Sequence, residues 1–254
     1  IIVLLRDGQA VGTLASTLIG AGFGDSRMTV CQALGGSREK ISEVSPAEAS
    51  ERVFQHPVCA ALEIKGAGEA LPLASGLPDA LFAHDGQITK RPVRAMTLSA
   101  LAPKHGEHLW DIGGGSGSIS IEWLLADPSL RATTIEVDAP RAARIRENAM
   151  ALGVDRLQVI TGRAPAVLEG LGLPDVVFVG GGLSADLLER LISLGSGVRL
   201  VANAVTLEAE TLLTDARKRL GGSLMRMDFS SAEPLGTKTG WRASFPVVQW
   251  SVTL

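Results

Sequence analysis

HLWDIGGGSGSISIEWLLAD, His108 to Asp127, is the stretch on which the reading of the whole chain turns. Leu109, Trp110 and Ile112 form a short apolar run, as in a buried strand, with its end at Asp111. Gly113, Gly114, Gly115 and Gly117 then break the chain into a loop. From Ser118 onward, Ile119, Ile121, Trp123, Leu124 and Leu125 supply the apolar surface of a packed helix. Strand, glycine loop and helix in that order are how an open α/β sheet holds a nucleoside-bearing cofactor at the carboxyl ends of its strands. Glycines let the backbone turn sharply and approach the ligand, and the helix start offers unpaired N–H groups to an anionic group.

The glycine spacing narrows the choice of cofactor. Asp111-x-Gly113-x-Gly115-x-Gly117 departs from the dinucleotide fingerprint, which wants a glycine where Ser118 stands. An acidic residue two positions before the first glycine suits S-adenosylmethionine (SAM), whose methionine carboxylate would lie near the loop. Glu136 ends the next strand-like run, Arg131 to Ile135, where a carboxylate can accept hydrogen bonds from both ribose hydroxyls. The alternative, a plain strand-to-helix turn with a surface Glu, explains Asp111 and Glu136 less well.

Length and composition set the outer bounds. A chain of 254 residues, 46% hydrophobic, can bury the core of one or two domains. No apolar run approaches the roughly 20 residues of a membrane span. The opening IIVLLRDGQ has no basic lead or cleavage site, so it does not read as a signal peptide; beginning in mid-strand without Met, it reads as a fragment. Cys31 and Cys59 lack metal-ligand spacing and are expected to be buried thiols of a cytoplasmic protein, with no metal bound. A net charge of −3 and the absence of Tyr argue against nucleic-acid or anionic-membrane partners.

Residues 1–65 read as an α+β half-domain. Within it Ser45-Pro46-Ala47-Glu48 is a helix start with Ser as N-cap and Glu three residues later. Residues 66–78 are rich in Gly, Ala, Pro and Leu and read as a linker, leaving 79–254 as the second domain. Lys90, Arg91 and Arg94 cluster at the start of a helix, either as a solvated basic face or as an anion-binding lip. Apolar runs at Leu157–Ile160, Asp175–Val179 and Val198–Ala202 read as further strands, with Gly180-Gly181-Gly182 after the second. Asn203 to Glu208 is expected to open a helix. Ser223–Phe229 and Phe245–Val252 read as two strands around a polar loop, an antiparallel hairpin closing the sheet. The fold class is therefore α/β: a seven-stranded, Rossmann-like class I SAM methyltransferase sheet with a terminal antiparallel hairpin, preceded by a partial α+β domain.

The segments GQITKRPVRAMTLSAL, LWDIGGGSGSISIEWL, IEVDAPRAARIRENAMALGV, VFVGGG and RLVANAVTLE resemble the decarboxylating precorrin-6Y methyltransferase family of cobalamin biosynthesis, from about Leu77 to Leu254. Residues 1–65, through LGGSREKI above all, are similar to the carboxyl-terminal half of the tetrapyrrole methylase domain that precedes it in that family. The resemblance implies SAM as cofactor and S-adenosylhomocysteine as product. It implies methylation of carbon-15 of a precorrin macrocycle and decarboxylation of the carbon-12 acetate, with carbon-5 methylation expected to be missing here. For the cofactor it implies Thr89, Asp111, Gly113, Gly114, Gly115, Ser116, Gly117, Glu136, Arg163 and Ala164; Arg163 stands where many methyltransferases carry an acidic residue. For the substrate carboxylates it implies Lys90, Arg91 and Arg94, with Asn203 on the substrate side and Lys238 and Arg242 as weaker candidates. A homotetramer is implied by the resemblance alone.

Methyl transfer from a sulfonium needs position more than a protein nucleophile, and the conjugated macrocycle is its own electron sink. His84, Asp85, His105, Asn203 and Glu208 are conceivable proton carriers, and none is assigned as acid or base. Two rival readings remain open: a methyltransferase acting on RNA or protein, and a non-catalytic SAM-binding protein. Base amino-methylases commonly carry Asn/Asp-Pro-Pro-aromatic where this chain reads VGGGL.

Overall fold

Two stretches of the chain bury their apolar residues against separate cores, and the computed structural model, which describes residues 1–195 and 197–254, divides accordingly into units of residues 1–71 and 72–254. In the first unit, β1 (Ile2–Leu5), β2 (Arg27–Gln32), β3 (Lys40–Val44) and β4 (Val58–Glu63) form an antiparallel sheet in the order β1-β4-β2-β3. Met28 and Val30 of β2 and Ala60 and Leu62 of β4 point to one face. There Val11, Ala15 and Leu18 of α1 (Gln9–Gly20) join them in one core. The short α2 (Pro46–Ser50) begins with the expected reciprocal cap: Ser45 Oγ accepts the Glu48 N–H, and the Glu48 carboxylate accepts the Ser45 N–H at 2.8 Å. Cys31 and Cys59 were expected to be buried; they are half-buried and stand opposite each other across β2 and β4. Strand alternation puts both on the face opposite Met28 and Val30.

The second unit is built on a seven-stranded sheet. Its parallel strands are β5 (His108–Ile112), β6 (Arg131–Glu136), β7 (Gln158–Thr161), β8 (Val176–Val179) and β9 (Arg199–Ala204). β13 (Val247–Thr253) runs antiparallel to β9, and β10 (Ser223–Met227) antiparallel to β13. The full order is β10-β13-β9-β8-β5-β6-β7. Alternate residues of β5 serve the two faces: Leu109 joins one core cluster, Trp110 and Ile112 the other. The first cluster holds side chains of α3 (Arg91–Leu101), α4 (Ser118–Ala126) and α5 (Ala139–Ala151). The second holds those of α6 (Ala185–Ile192) and α7 (Leu207–Leu220). Helix α4 is buried continuously from Ser118 to Leu124, which explains why its apolar residues show no single stripe. Trp110, Trp123 and Trp250 are fully buried, each removing ~150–250 Å² from water.

Two segments depart from the sequence reading. The expected polar loop between the last two sheet strands is itself a hairpin, β11 (Ser230–Leu235) with β12 (Lys238–Ala243), forming a separate two-stranded sheet. Its strands lie almost wholly in solvent, so neither shows the apolar alternation that marks a half-buried strand. Asn203 does not open a helix: β9 continues through Ala204, and α7 starts after Thr206, whose side chain accepts the Ala209 N–H.

Candidate active site

Two glycine loops meet where the strand order turns. From β5 the sheet runs to β6 and β7 on one side and to β8 and β9 on the other, and the crevice at such a switch point is where open α/β sheets place ligands. Gly113, directly after β5, has φ +78°, and a Cβ there would lie 2.7 Å from the backbone nitrogen of Gly181, in the loop after β8. Only glycine permits both that conformation and that approach. The N–H groups of Gly113 and Gly114 bond the Ile135 carbonyl at 2.9 and 3.2 Å, drawing the loop over β6. Gly117, at φ +77°, caps α4.

Glu136 closes β6. One carboxylate oxygen accepts the Gly115 N–H at 2.8 Å and the other the Asp138 N–H at 3.0 Å. Each oxygen keeps lone-pair capacity, and the side chain lines the cleft.

The cleft has two lobes. The smaller, about 210 Å³, is bounded by Glu136, Arg141, Arg163, Ala164 and the glycine loops. The larger, about 550 Å³, has apolar walls at Phe178, Phe229 and Phe245 and polar groups at Thr89, Lys90 and Asn203. Gln87, Gly113, Gly115 and Gly180 line both lobes.

Gln87, to which the sequence reading gives no role, belongs to a strap that also carries His84, Asp85 and Thr89. The Asn148 side chain on α5 pairs with both the N–H and the carbonyl of Ala83 at 2.9 Å, and donates to the Ser116 carbonyl of the glycine loop at 2.9 Å. Asp85 accepts from Arg141 Nε at 2.8 Å and lies 3.3 Å from Arg144. The hydrogen bond from Arg141 holds the Asp85 carboxyl well below the usual carboxylate range. Strap, glycine loop and α5 are thus fastened together.

Of the residues expected at the cofactor, Thr89, Gly113, Gly114, Gly115, Glu136, Arg163 and Ala164 line the cleft. Asp111 does not. It shares a face of β5 with Leu109, buried beneath the loop, where it accepts from Ser120 Oγ at 2.7 Å. Burial pushes its carboxyl up to about 6, against the Ser120 hydrogen bond, with the nearby Glu136 charge adding to the rise. Ser116 is also buried outside both lobes, and Gly117 serves the helix start.

The expected basic lip separates into three fates. Lys90 lines the larger lobe, 3.8 Å from Asp79. Arg91 is exposed and outside both lobes. Arg94 corrects the sequence reading: it is 0% exposed and fully engaged inside the fold. Its Nε donates to Glu122 at 2.6 Å, its other nitrogens to the carbonyls of Thr89 (2.6 Å) and Leu77, and it lies 3.0 Å from Asp79. A guanidinium with no exposed surface, bonded to one carboxylate and two carbonyls and paired with a second carboxylate, is out of reach of a substrate anion. Glu122 was missed, although a lone carboxylate inside ISIEWLL was a visible signal. His84, Asp85, His105 and Glu208 line neither lobe. His105 sits on an exposed turn with Ser129, and Arg242 pairs with Glu233 on the hairpin.

Comparison with known proteins agrees with this geometry. A family profile described as "Precorrin methyltransferase domain" matches residues 80–254. A Sinorhizobium protein named precorrin-6Y C(5,15)-methyltransferase [decarboxylating] is 54% identical over 259 residues, covering 100% of this chain and 62% of its own length. A Mycobacterium tuberculosis protein of the same name is 42% identical over 255 residues, covering 99% of this chain and 64% of its own. The chain thus spans less than two thirds of the length of these curated relatives. The crystal structure of the C-terminal domain of precorrin-6Y C5,15-methyltransferase from Rhodobacter capsulatus is 54% identical, with a TM-score of 0.70, covering 72% of this chain and 100% of that one.

Proposed function

The chain belongs to the precorrin methyltransferase family, and on that footing we propose that it methylates carbon-15 of a precorrin macrocycle with SAM and decarboxylates the carbon-12 acetate side chain, a step of cobalamin biosynthesis. The observation that carries this reading is the wall common to both lobes. With cofactor in one lobe and macrocycle in the other, the two reacting groups would meet at Gly113, Gly115 and Gly180.

The residues present fit SAM. Glu136 has acceptor capacity for both ribose hydroxyls, and the close approach of Gly113 to Gly181 keeps side chains out of the cradle. Thr89 and the Gly113–Gly115 backbone would hold the methionine portion where it reaches the wall between the lobes, and the Ala164 backbone would hold the adenine, with Arg163 beside it. Asp111, Ser116 and Gly117 act from beneath, as support. SAM supplies an electrophilic methyl for in-line displacement and leaves as S-adenosylhomocysteine. The chain's own work is to orient the two reactants and exclude water.

Phe178, Phe229 and Phe245 give a flat conjugated ring apolar walls, Lys90 is the cation for a carboxylate inside the lobe, and the exposed Arg91 serves one that extends beyond it. Loss of carbon dioxide leaves an electron pair that the macrocycle accepts, so no protein electron sink is needed. The protein is further proposed to work in the cytoplasm as a homotetramer; among the described residues no helix is long and apolar enough to cross a membrane.

The test is turnover by mass spectrometry, with purified chain, SAM and precorrin-6Y under anaerobic conditions. One methyl gained and one carbon dioxide lost supports the reading. An unchanged tetrapyrrole, with S-adenosylhomocysteine still bound by the protein, refutes it.

A further inference from the structure

Behind the larger lobe lie two polar side chains that the roles above leave unused, and they hold a third, Asn203, which the resemblance put on the substrate side without a defined task. Thr97 on α3 and Gln249 on β13 are buried, and Asn203 on β9 sits opposite Gln249 in the sheet register. Gln249 Nε2 donates to Asn203 Oδ1 at 2.9 Å and to Thr97 Oγ1 at 3.1 Å. Asn203 Nδ2 donates to the same Thr97 oxygen at 2.9 Å. This arrangement fixes both amides. Turning Asn203 alone would set its NH2 against that of Gln249. Turning both would aim two carbonyl oxygens at one Thr97 hydroxyl, which has a single proton to give. Only the observed orientation makes all three bonds. Gln249 spends both N–H groups in it, whereas Asn203 spends one and keeps one. Asn203 is also the member of the three that lines the larger lobe.

We propose that the remaining Asn203 N–H takes an oxygen of the substrate carboxylate that departs as carbon dioxide, and that Gln249 and Thr97 are positioning residues that keep the amide turned donor-outward. The inference rests on the function proposed above and names the group that sorts one carboxylate from the others. Phe178, Val205 and Val247 line the same lobe. A carboxylate held there by a neutral donor is oriented without being neutralised, so its charge is poorly solvated at the start of the reaction. Breaking the carbon–carboxylate bond sends its electron pair into the conjugated macrocycle. Carbon dioxide leaves, and the pair returns from the macrocycle to the side-chain carbon to bond one proton from a water, giving a methyl group and hydroxide. Lys90, the cationic side chain among the described residues of the lobe wall, suits a carboxylate that stays.

The test uses Asn203→Asp and Gln249→Met in the full chain. Asn203→Asp keeps the side-chain size and can accept from Gln249 and Thr97, but turns a charged oxygen to the lobe. Gln249→Met removes both locking donors from outside the cleft. Carbon dioxide release should fall by roughly 100-fold in Asn203→Asp, as expected for losing a charged hydrogen bond and gaining repulsion. It should fall by about 10-fold in Gln249→Met, through kcat, with KM for SAM and S-adenosylhomocysteine affinity unchanged. Carbon dioxide release within about twofold of the unmodified chain in Asn203→Asp would overturn the inference. So would a loss of S-adenosylhomocysteine affinity in step with turnover in both variants, which would make the network scaffold only. An unmodified chain that binds S-adenosylhomocysteine but leaves the tetrapyrrole unchanged would instead refute the proposed function.

Discussion

Replacing Glu122 by Gln changes one atom and should unsettle the approach to the active site. The carboxylate accepts three hydrogen bonds inside the protein: from Gly76 N–H at 2.6 Å, Leu77 N–H at 2.9 Å and Arg94 Nε at 2.6 Å. An amide can satisfy at most two of them in its better orientation, because one oxygen becomes an NH2 facing a donor. It also strips Arg94 of its main counter-charge while leaving the guanidinium buried, with Asp79 as the remaining carboxylate. Breaking one side of a buried pair costs about 3–5 kcal/mol. For a unit of this size each kcal/mol lowers the midpoint by about 2–4 °C, so a fall of roughly 6–20 °C is expected. Calorimetric and urea-induced unfolding of the two proteins would measure it. A companion double variant, Glu122→Leu with Arg94→Met, should recover most of the loss, since well-packed apolar replacements remove the desolvation cost along with the pair. A Glu122→Gln loss below about 1 kcal/mol would refute the reasoning, by showing that the pair is weakly desolvated or readily rehydrated.

Asp111 should make stability pH-dependent. Its folded value of about 6 lies above the unfolded value of about 3.9, so its favourable contribution is full below about pH 4 and lost as pH rises through 6. About 3 kcal/mol is at stake, read as the pH dependence of the difference between the native chain and Asp111→Asn in urea titrations; a difference that stays constant from pH 4 to 7 would contradict it. Gly113→Ala should abolish S-adenosylhomocysteine binding in calorimetric titration, because its methyl group would overlap the Gly181 backbone at positive φ. Glu136→Ala should weaken that binding by at least ~10-fold through lost charged hydrogen bonds, and near-native affinity would remove Glu136 from the cofactor site.

What the sequence made legible was local. The strand, glycine loop and helix of His108–Asp127 follow from spacing, and Ser45 and Glu48 announce a cap within four residues. The fate of Arg94 could not be read this way, since its partner Glu122 lies 28 positions on and its burial is decided by tertiary packing. The same holds for Thr97 and Gln249, which are 152 positions apart and share a hydrogen bond. Asn203 was misplaced because a polar residue after an apolar run looks like an ending. In fact its side-chain carbonyl and one of its two N–H groups are taken up by the neighbouring strand and helix, so the strand continues. The β11–β12 hairpin escaped because both of its faces meet solvent, which removes the period on which strand recognition depends.

The threading of β13 between β9 and β10 also shapes how the protein is made. Translation delivers β10 about twenty residues before the strand it pairs with, so it waits beside an incomplete sheet. Until residues 247–253 emerge, β9 presents a bare edge bearing Leu200, Val201 and Ala202, open to pairing with other nascent chains. A ribosome that stalls before Val247 therefore leaves β10 unplaced, the outer edge of β9 open, and Asn203 without the amide that orients it. Synthesis of one late strand closes the sheet and sets the polarity of the active site in the same event.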